Sequence, residues 1–337
     1  MLKIGAIGCG RVVEEGHVIG YEAVKDRARV HALSDCTPAR CEIMGERLGV
    51  PPERRYSDYR DMLAAEELDV AVVAVPHTLH ESVALDCINA GLHILLEKPM
   101  APTLEEADRI MAAAEKKGVL LTVPHNFAWQ GQSLEAIRLV REGKIGEPRF
   151  MRWEVMVEPP WPGVPEYDPE WRTRKNLGAR GPLIDNGYHA TYHCRYLMNS
   201  PVRRVFARAG HYFADWDVDD LNVAVLEHEN GGVSVMELCW SLSDRAPQMA
   251  REVHGSRGSI AYDRDGHGIG VCEGGQWTYP DVVMDIWGFD RFFDLFIDAI
   301  LKGHPLPVTP QEARLNLQII LACYESAESG EPVEIQR

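Results

Sequence analysis

The sequence predicts an α/β protein of two domains: a doubly wound parallel sheet in residues 1–124, and an α/β domain with a largely antiparallel, open sheet in residues 125–337. In the first third, short apolar runs alternate with segments of helical periodicity, a pattern typical of parallel sheets. After Pro124 the stretches lengthen and alternate polar with apolar residues, which is typical of an antiparallel sheet with one open face. A length of 337 residues suits two domains better than one core.

In the first domain, strands are expected at residues 2–7, 30–33, 70–75, 93–96 and 119–123. Helices are expected between them, at residues 12–24, 38–48, 79–90 and 103–117. Gly91 and Gly118 are placed to end the last two helices, and Thr103 with Glu106 forms a capping box.

In the second domain, a helix at residues 133–142 precedes alternating stretches at 149–157, 202–209, 223–229 and 233–238. A turn at residues 230–232 and two closing helices, at 290–301 and 311–328, complete the pattern. The open face of such a sheet must be covered, and a partner subunit is a reasonable candidate. We therefore expect a homo-oligomer, either a dimer or a tetramer.

Residues 158–180 form a long stretch with five prolines and no clear period. Long segments without periodicity inside a compact chain are usually functional loops. Trp161, Tyr167, Trp171 and Arg172 could stack on a polyol or hydrogen-bond to it. A packed surface loop with buried aromatic side chains is an equally good interpretation.

The bulk composition excludes several classes of protein. A formal net charge of −16, from 51 acidic and 35 basic residues, argues against a broad nucleic-acid surface. No apolar run is long enough to cross a bilayer, and the first residues lack the order of a signal peptide. The eight cysteines include no Cys-x-x-Cys pair and are expected to be reduced, in a cytoplasmic protein.

A glycine loop directly follows the first expected strand. Gly8 permits a tight turn, and Gly10 lets backbone N–H groups approach a pyrophosphate at the amino end of a helix. Val13 occupies the third position of this fingerprint, where a glycine or alanine is usual. Its placement between strand and helix nevertheless predicts a dinucleotide-binding Rossmann fold.

Asp35 ends the second strand, where an acidic residue hydrogen-bonds the adenosine ribose in such folds. Ser34, Cys36 and Thr37 offer no arginine for a 2′-phosphate, which favours NAD over NADP. An alternative interpretation of Asp35 is a solvated turn residue.

Two clusters could supply catalysis. Lys98, in Glu97-Lys98-Pro99, follows a strand at the edge where ligands collect, although an ordinary surface lysine could also stand there. Asp185 and His189 are four residues apart and would share a helix face. A histidine can remove the hydroxyl proton of a secondary alcohol, a carboxylate can orient it, and an ammonium group can stabilise the alkoxide.

Metal binding is the alternative use of these histidines. Asp185, His189 and His193 lie one turn apart, and His77-x-x-His80 also has ligand spacing. Zinc dehydrogenase sites favour thiolate with imidazole, and no cysteine has suitable spacing to these histidines. We therefore expect no metal.

The motifs together resemble the glucose–fructose oxidoreductase/inositol dehydrogenase/MocA family along nearly the whole chain. The segment 7–11 resembles its opening loop, and 75–80 its Pro-Asn-x-x-His segment, with His77 in place of Asn. Residues 97–99 carry its most specific signature, and the Asp185–His189 spacing resembles its second-domain motif.

The resemblance implies hydride transfer between a secondary hydroxyl of a sugar, inositol or related polyol and NAD. It implies Lys98, Asp185 and His189 as catalytic residues. The cofactor-binding set would be Gly8, Cys9, Gly10, Arg11, Val12, Asp35, Pro76, His77, His80, Glu97, Lys98 and Asn126. The substrate-binding set would be Lys98, Trp161, Trp171, Arg172, Arg180, Asp185 and His189.

Two positions depart from the family pattern. The glycines before the aspartate are only partly kept, as Gly178-Ala179-Arg180-Gly181, and Tyr192 stands where many relatives carry an acidic residue. Arg180 could favour an acidic or phosphorylated sugar. Two other functions fit the same residues: glycoside cleavage through transient oxidation with bound NAD, and ligand sensing on an enzyme fold that no longer catalyses.

Overall fold

The structure is a computed structural model that describes residues 1–157, 163–167, 171–175, 180–242, 248–262 and 268–336. Its strands are β1 (Leu2–Ile7), β2 (Ala28–Ser34), β3 (Arg55–Tyr56), β4 (Val70–Val73), β5 (His93–Leu96), β6 (Leu121–Thr122), β7 (Pro148–Met156), β8 (Val202–Gly210), β9 (Leu221–His228), β10 (Val233–Cys239), β11 (Gln248–Gly255), β12 (Gly258–Tyr262), β13 (Ile269–Glu273), β14 (Gln276–Thr278) and β15 (Val333–Glu334). Its α-helices are α1 (Val18–Ala23), α2 (Pro38–Leu48), α3 (Tyr59–Ala65), α4 (His80–Asn89), α5 (Leu104–Lys117), α6 (Gly131–Arg141), α7 (Gly181–Met198), α8 (Phe289–Lys302) and α9 (Pro310–Ser329).

The chain divides into two compact units. The first unit comprises Met1–Asn126, Pro162–Glu170 and Trp287–Leu315, and the second comprises Phe127–Trp161, Trp171–Ile286 and Asn316–Arg337. The first unit therefore contains the predicted N-terminal domain together with two later segments, one of which includes α8.

The first unit is built on a six-stranded parallel sheet in the order β3-β2-β1-β4-β5-β6. This order confirms the predicted doubly wound sheet and makes the carboxyl ends of β1 and β4 its switch point. The central strands read as near-continuous apolar runs because both of their faces are buried. Thr103 and Glu106 form the predicted capping box, and Gly118 ends α5 in a left-handed conformation.

The second unit contains a nine-stranded sheet in the order β14-β13-β12-β11-β7-β10-β9-β8-β15. Its pairings are antiparallel except for β7 with β10, which confirms the largely antiparallel sheet. Helix α7 packs on β7 and β10, where alternate residues such as Trp153 and Met236 are buried. The sequence analysis did not predict β11–β14 or the short β3 and α3.

No helix within the described ranges is both long enough and apolar enough to span a membrane.

Helix α1 packs closely against α8 in the first unit because two glycines face aromatic side chains. A Cβ at Gly16 would lie 2.6 Å from Phe289 Cε2, and a Cβ at Gly20 would lie 2.4 Å from Phe293 Cδ2. Both phenylalanines are buried. Their rings can reach the backbone of this segment only where no side chain intervenes.

We expect Gly20→Ala to lower the free energy of unfolding by about 1–3 kcal/mol, because the added methyl group overpacks the contact with Phe293. Urea unfolding measures this change. The control is Ile19→Ala, which shortens an exposed side chain on the same helix and should change stability by less than about 0.5 kcal/mol. Wild-type stability of Gly20→Ala would contradict the close packing of α1 on α8.

Candidate active site

The loop after β1 can be formed only with glycine at position 8. Gly8 has a φ of +90°, and a Cβ there would lie 2.2 Å from the carbonyl oxygen of Ala74, which follows β4. The Gly10 carbonyl accepts from the N–H groups of Val13 and Glu14, so the helical turn begins at the glycine loop. The loop thus lies at the switch point and at the amino end of a helical turn, where pyrophosphates bind in such folds.

Val13, the departure from the glycine fingerprint, is buried at the start of a π-helical turn, Val13–His17. The third glycine of the fingerprint normally lets the helix pack closely. In this chain Gly16 and Gly20 allow a close approach to α8 instead.

Asp35 is buried at the end of β2, and its carboxylate organises the loops around it. Oδ2 accepts from the Cys9 N–H at 2.8 Å, and Oδ1 accepts from the Thr37 N–H at 2.8 Å. The Tyr167 hydroxyl also donates to Oδ2, and the Tyr167 ring lies 3.3 Å from the position of a Cβ at Gly10. One side chain therefore links Asp35 with the segment 163–167.

Arg40 is a charged residue near Asp35 that the sequence analysis missed. It is buried, its Nε donates to the Cys9 carbonyl at 2.9 Å, and its other nitrogens pair with Glu14 at 2.6 Å and Glu166 at 3.3 Å. Two carboxylates therefore already balance its charge. This arrangement is consistent with the expected preference for NAD over a 2′-phosphorylated cofactor.

Arg11 and Val12 continue the glycine loop and are half-buried. The Arg11 Nε donates to Glu15 at 2.7 Å. An open depression of about 570 Å³ borders this part of the loop; it is lined by Arg11, Glu14, Glu15, Arg47, Gly163, Val164, Pro165 and Trp287.

Glu97 and Lys98 follow β5 at the same edge of the parallel sheet. The buried Glu97 contacts His17 Nε2 through Oε1 at 2.9 Å and accepts from the Lys98 N–H through Oε2 at 3.0 Å. His17 is fully buried and packs edge-on against Phe289, with ring centroids 4.8 Å apart. Lys98 is half-buried and precedes a cis peptide bond to Pro99. His17, which the sequence analysis did not single out, therefore helps to fix this turn.

His80 bridges two loops at the edge of the sheet. Its Nδ1 lies 2.8 Å from the carbonyl oxygen of Pro99, and its Nε2 lies 2.9 Å from that of Val75. Burial lowers the pKa of His80. The neighbouring Pro76 is exposed and His77 is half-buried, with its ring centroid 5.5 Å from that of His80.

Asn126 is buried, and its side-chain amide donates to the Trp287 carbonyl at 2.9 Å. Both residues belong to the first unit.

In the second unit, α7 holds the candidate acid/base. The Nδ1 of the buried His189 lies 2.8 Å from the Tyr192 hydroxyl, and the His189 ring stacks on Phe127 with centroids 4.3 Å apart. The Tyr192 oxygen accepts from the Phe127 N–H at 3.2 Å. Burial raises the pKa of Tyr192 well above its usual range, so it orients the imidazole without adding charge. The spacing of three residues on a helix was the signal that could have revealed this partnership.

Asp185 lies beside the guanidinium group of Arg172. Its Oδ2 is 3.6 Å from Arg172 Nε, and the Arg172 guanidinium lies over the Trp171 ring at 4.7 Å. Arg180 is exposed and its carbonyl oxygen accepts from the Tyr324 hydroxyl. Among the other residues predicted near the substrate, Trp161, Gly178 and Ala179 lie outside the described residues.

His193 is held by contacts in the interior of the second unit. It is fully buried, its Nδ1 lies 3.0 Å from the His189 carbonyl, and its Nε2 lies 3.2 Å from the Ser133 hydroxyl. Burial lowers the pKa of His193 to about 3, so the ring is neutral at physiological pH. In the described part of the chain, no three His, Cys, Asp or Glu side chains are grouped so that they could hold a metal ion.

Two sequence families account for most of the chain. Residues 2–125 match an oxidoreductase family with an NAD-binding Rossmann fold, GFO/IDH/MocA, and residues 133–261 match the GFO/IDH/MocA C-terminal domain. The chain is 30% identical to the D-apiose dehydrogenase of Paraburkholderia graminis, over 99% of this chain and 90% of that protein. It is 27% identical to the D-glucoside 3-dehydrogenase of Escherichia coli, over 99% and 97% of the two chains.

Among solved structures, the fold resembles an oxidoreductase from Agrobacterium radiobacter in complex with NAD+, L-tartaric acid and magnesium. The TM-score is 0.85 at 22% identity, with 99% of this chain and 98% of the other covered.

We expect Tyr167→Phe to tighten NAD binding about two- to tenfold. A carboxylate offers about four lone-pair sites, and Asp35 already uses three of them for Cys9, Thr37 and Tyr167. Both ribose hydroxyls can therefore be accommodated only when the phenol hydroxyl leaves, and one hydrogen bond is worth about 0.5–1.5 kcal/mol. Isothermal titration calorimetry with NAD measures the change.

The matched control is Tyr59→Phe, which removes another phenol–carboxylate bond in the first unit, to Asp86, and should leave NAD affinity unchanged. Weaker NAD binding by Tyr167→Phe would show that Tyr167 supports the ribose site rather than competing for it.

Proposed function

Because the chain belongs to the GFO/IDH/MocA oxidoreductase family, with its NAD-binding Rossmann fold, we propose that it is a dehydrogenase of a sugar, inositol or related polyol. It would oxidise a secondary hydroxyl of this substrate. The observation that carries the proposal is His189, a buried imidazole on α7 that is oriented by Tyr192 and Phe127.

His189 is proposed as the acid/base. Oxidation of an alcohol requires that the hydroxyl proton be removed, and imidazole is the side chain best suited to this transfer near neutral pH. The contact of its Nδ1 with the Tyr192 hydroxyl orients the imidazole ring. The stacking on Phe127 keeps the ring plane fixed while the proton moves.

Residues of the first unit fit NAD. The glycine loop stands between β1 and a helical turn, the usual place of the pyrophosphate, and Asp35 follows β2, where an acidic residue usually meets the adenosine ribose. When bound, NAD supplies the nicotinamide that accepts hydride from the substrate carbon. The remaining predicted cofactor residues, Cys9, Arg11, Val12, Pro76, His77, His80, Glu97 and Asn126, are proposed to border it.

Lys98 is proposed to stabilise the developing alkoxide, because an ammonium group lowers the energy of an adjacent oxyanion. The His17–Glu97 contact fixes the turn that carries it. Asp185 is proposed to position the substrate through a hydroxyl group, with Arg172 beside it.

We propose that the substrate carries an acidic group. Two basic residues belong to the set assigned to substrate binding: Arg172, which lies 3.6 Å from Asp185, and Arg180, which stands at the N-cap of the helix that carries Asp185. The tartaric acid bound to the structural neighbour from Agrobacterium radiobacter supports a test of sugar acids first. Trp161 and Trp171 are proposed to contact the sugar ring.

We expect turnover of a polyol or sugar acid to release one NADH per product molecule. We also expect His189→Ala to lower kcat by about 10²–10⁴-fold with NAD affinity nearly unchanged, because the variant loses only the proton-transfer group. Absorbance at the NADH band and product quantification measure the ratio. His211→Ala, which changes an exposed histidine of the same unit, is the control and should retain wild-type kcat.

Other outcomes have defined meanings. Product without net NADH would favour glycoside cleavage through transient oxidation. NAD binding without turnover over a broad panel of sugars, inositols and sugar acids would favour a ligand-sensing protein. A His189→Ala variant that keeps most of its kcat would refute the assignment of the acid/base.

We further propose that the chain forms a cytoplasmic homo-oligomer through the open face of its nine-stranded sheet. Phe150 and Val223 are large apolar side chains on this face and remain more than a third exposed. Val225 and Val235 pair across β9 and β10 on the same face. All eight cysteines are free, as is usual in reducing compartments.

Light scattering after gel filtration should give a multiple of the 37.8 kDa chain mass for the wild type. Val223→Arg should reduce this mass, because a buried unpaired charge is strongly unfavourable in an interface. Val283→Arg, which changes a valine that is 74% exposed and lies outside the sheet, should not. A monomeric wild type would contradict the proposal.

A further inference from the structure

The amino end of α7 is closed by side chains from other elements. N–H groups in the first turn of a helix have no partner within the helix. Arg180, at the N-cap position, makes no capping hydrogen bond with its side chain. The Asp219 carboxylate packs against the first residue of α7, since its Oδ2 lies 2.6 Å from the position of a Cβ at Gly181, and the Tyr324 hydroxyl donates to the Arg180 carbonyl at the N-cap. Two residues distant in sequence therefore hold the amino end of α7.

Gly181 makes this close approach possible. Its φ is +76°, a conformation that favours glycine, and a Cβ there would lie 2.4 Å from the Asp219 carbonyl oxygen and 2.6 Å from Asp219 Oδ2. Any side chain at position 181 would push the carboxylate away from the helix end.

The loop that carries Asp219 is fixed by its neighbour. Asp220 is fully buried, and its carboxylate accepts from three consecutive backbone N–H groups, at residues 212–214, over 2.6–2.9 Å. The Asn222 amide donates to Asp219 Oδ2 from the start of β9. Asp219 is thus held in place before it meets α7.

The negative charge on the Asp219 carboxylate lowers the stability of the folded state near neutral pH. Burial raises the pKa of this carboxyl to about 6 from its usual 3.8, although the hydrogen bond from the Asn222 amide opposes the shift. The stabilisation from this raised pKa is fully present below pH 3.8 and is lost as the pH rises through 6. Tyr324 stays neutral because burial raises its pKa well above the usual range.

We propose that Asp219, together with the Tyr324 hydroxyl, is a positioning residue for the candidate catalytic helix. The two groups fix the first turn of α7, and Asp185 follows Ile184 directly while His189 lies one turn further on. An anion at this end also complements the helix dipole. The inference rests on the proposed function, in which Asp185 and His189 act on the substrate.

We expect Asp219→Asn to lower kcat about tenfold at pH 7.5 while the KM for NAD changes less than twofold. An amide has one acceptor oxygen where the carboxylate has two, and an NH2 group turned toward the Asn222 amide would face another donor. Tyr324→Phe should lower kcat by a smaller factor. Hydrogen exchange of residues 181–186 should be faster in both variants, and this readout does not depend on turnover.

Asp217→Asn is the matched control: it makes the same change at an exposed position of the same loop and should match the wild type in both measurements. The wild type should also gain thermal stability relative to Asp219→Asn as the pH is lowered from 8 to 5, because its buried carboxylate takes up a proton over that range.

Wild-type kcat and wild-type exchange in Asp219→Asn would overturn the proposal. A drop in kcat that merely follows a lower melting temperature, with unchanged exchange at residues 181–186 in the folded variant, would also overturn it. If the wild type oxidises no substrate, the proposed function fails, and the exchange experiment still decides whether Asp219 holds the start of α7.

Discussion

A carboxylate buried inside a protein needs hydrogen-bond donors around it, and this requirement organises the first unit. Asp35 is buried and accepts from the N–H groups of Cys9 and Thr37, so it ties the loop after β1 to the loop after β2. Gly8 then lets the segment after β4 approach the same point, at Ala74. The ends of β1, β2 and β4 therefore meet around the glycine loop, at the edge where dinucleotide phosphates bind in such sheets.

The second unit meets the same constraint at a helix end. The Asp220 carboxylate accepts hydrogen bonds from the N–H groups of its own loop, and the neighbouring Asp219 faces α7. Helix α7 is further anchored along its length, where the Asn316 amide donates to the Tyr188 backbone carbonyl and Trp240 Nε1 donates to the Asn186 side-chain oxygen. A helix held at several levels can present Asp185 and His189 in one orientation, as general acid–base chemistry requires.

The parts that could be predicted from the sequence are those encoded locally. The periods of the strands and helices predicted the doubly wound sheet. The spacing between Gly10 and Asp35 reflects one βαβ unit, which is encoded within about 30 residues. The partners of these residues are encoded elsewhere: Tyr167 reaches Asp35 across 132 positions, and Glu166 reaches Arg40 across 126. No period or motif connects such positions, because the fold alone brings them together. The strands β11–β14 were not predicted for a related reason, since their alternation is short and interrupted by turns.

Val13 shows why an incomplete motif can still be correct. The fingerprint describes one solution to a packing problem, in which a glycine lets the helix approach its neighbours. Here the turn after the loop is π-helical, Val13 is buried in it, and the glycines that permit close packing come later, at positions 16 and 20. Tyr192 is a comparable departure at the candidate acid/base, since it orients His189 with a neutral hydroxyl rather than a carboxylate. In both places the physical requirement is met by a different residue from the one in the motif. The space for close helix packing and the hydrogen bond that orients His189 therefore matter more than the residue type at the motif position.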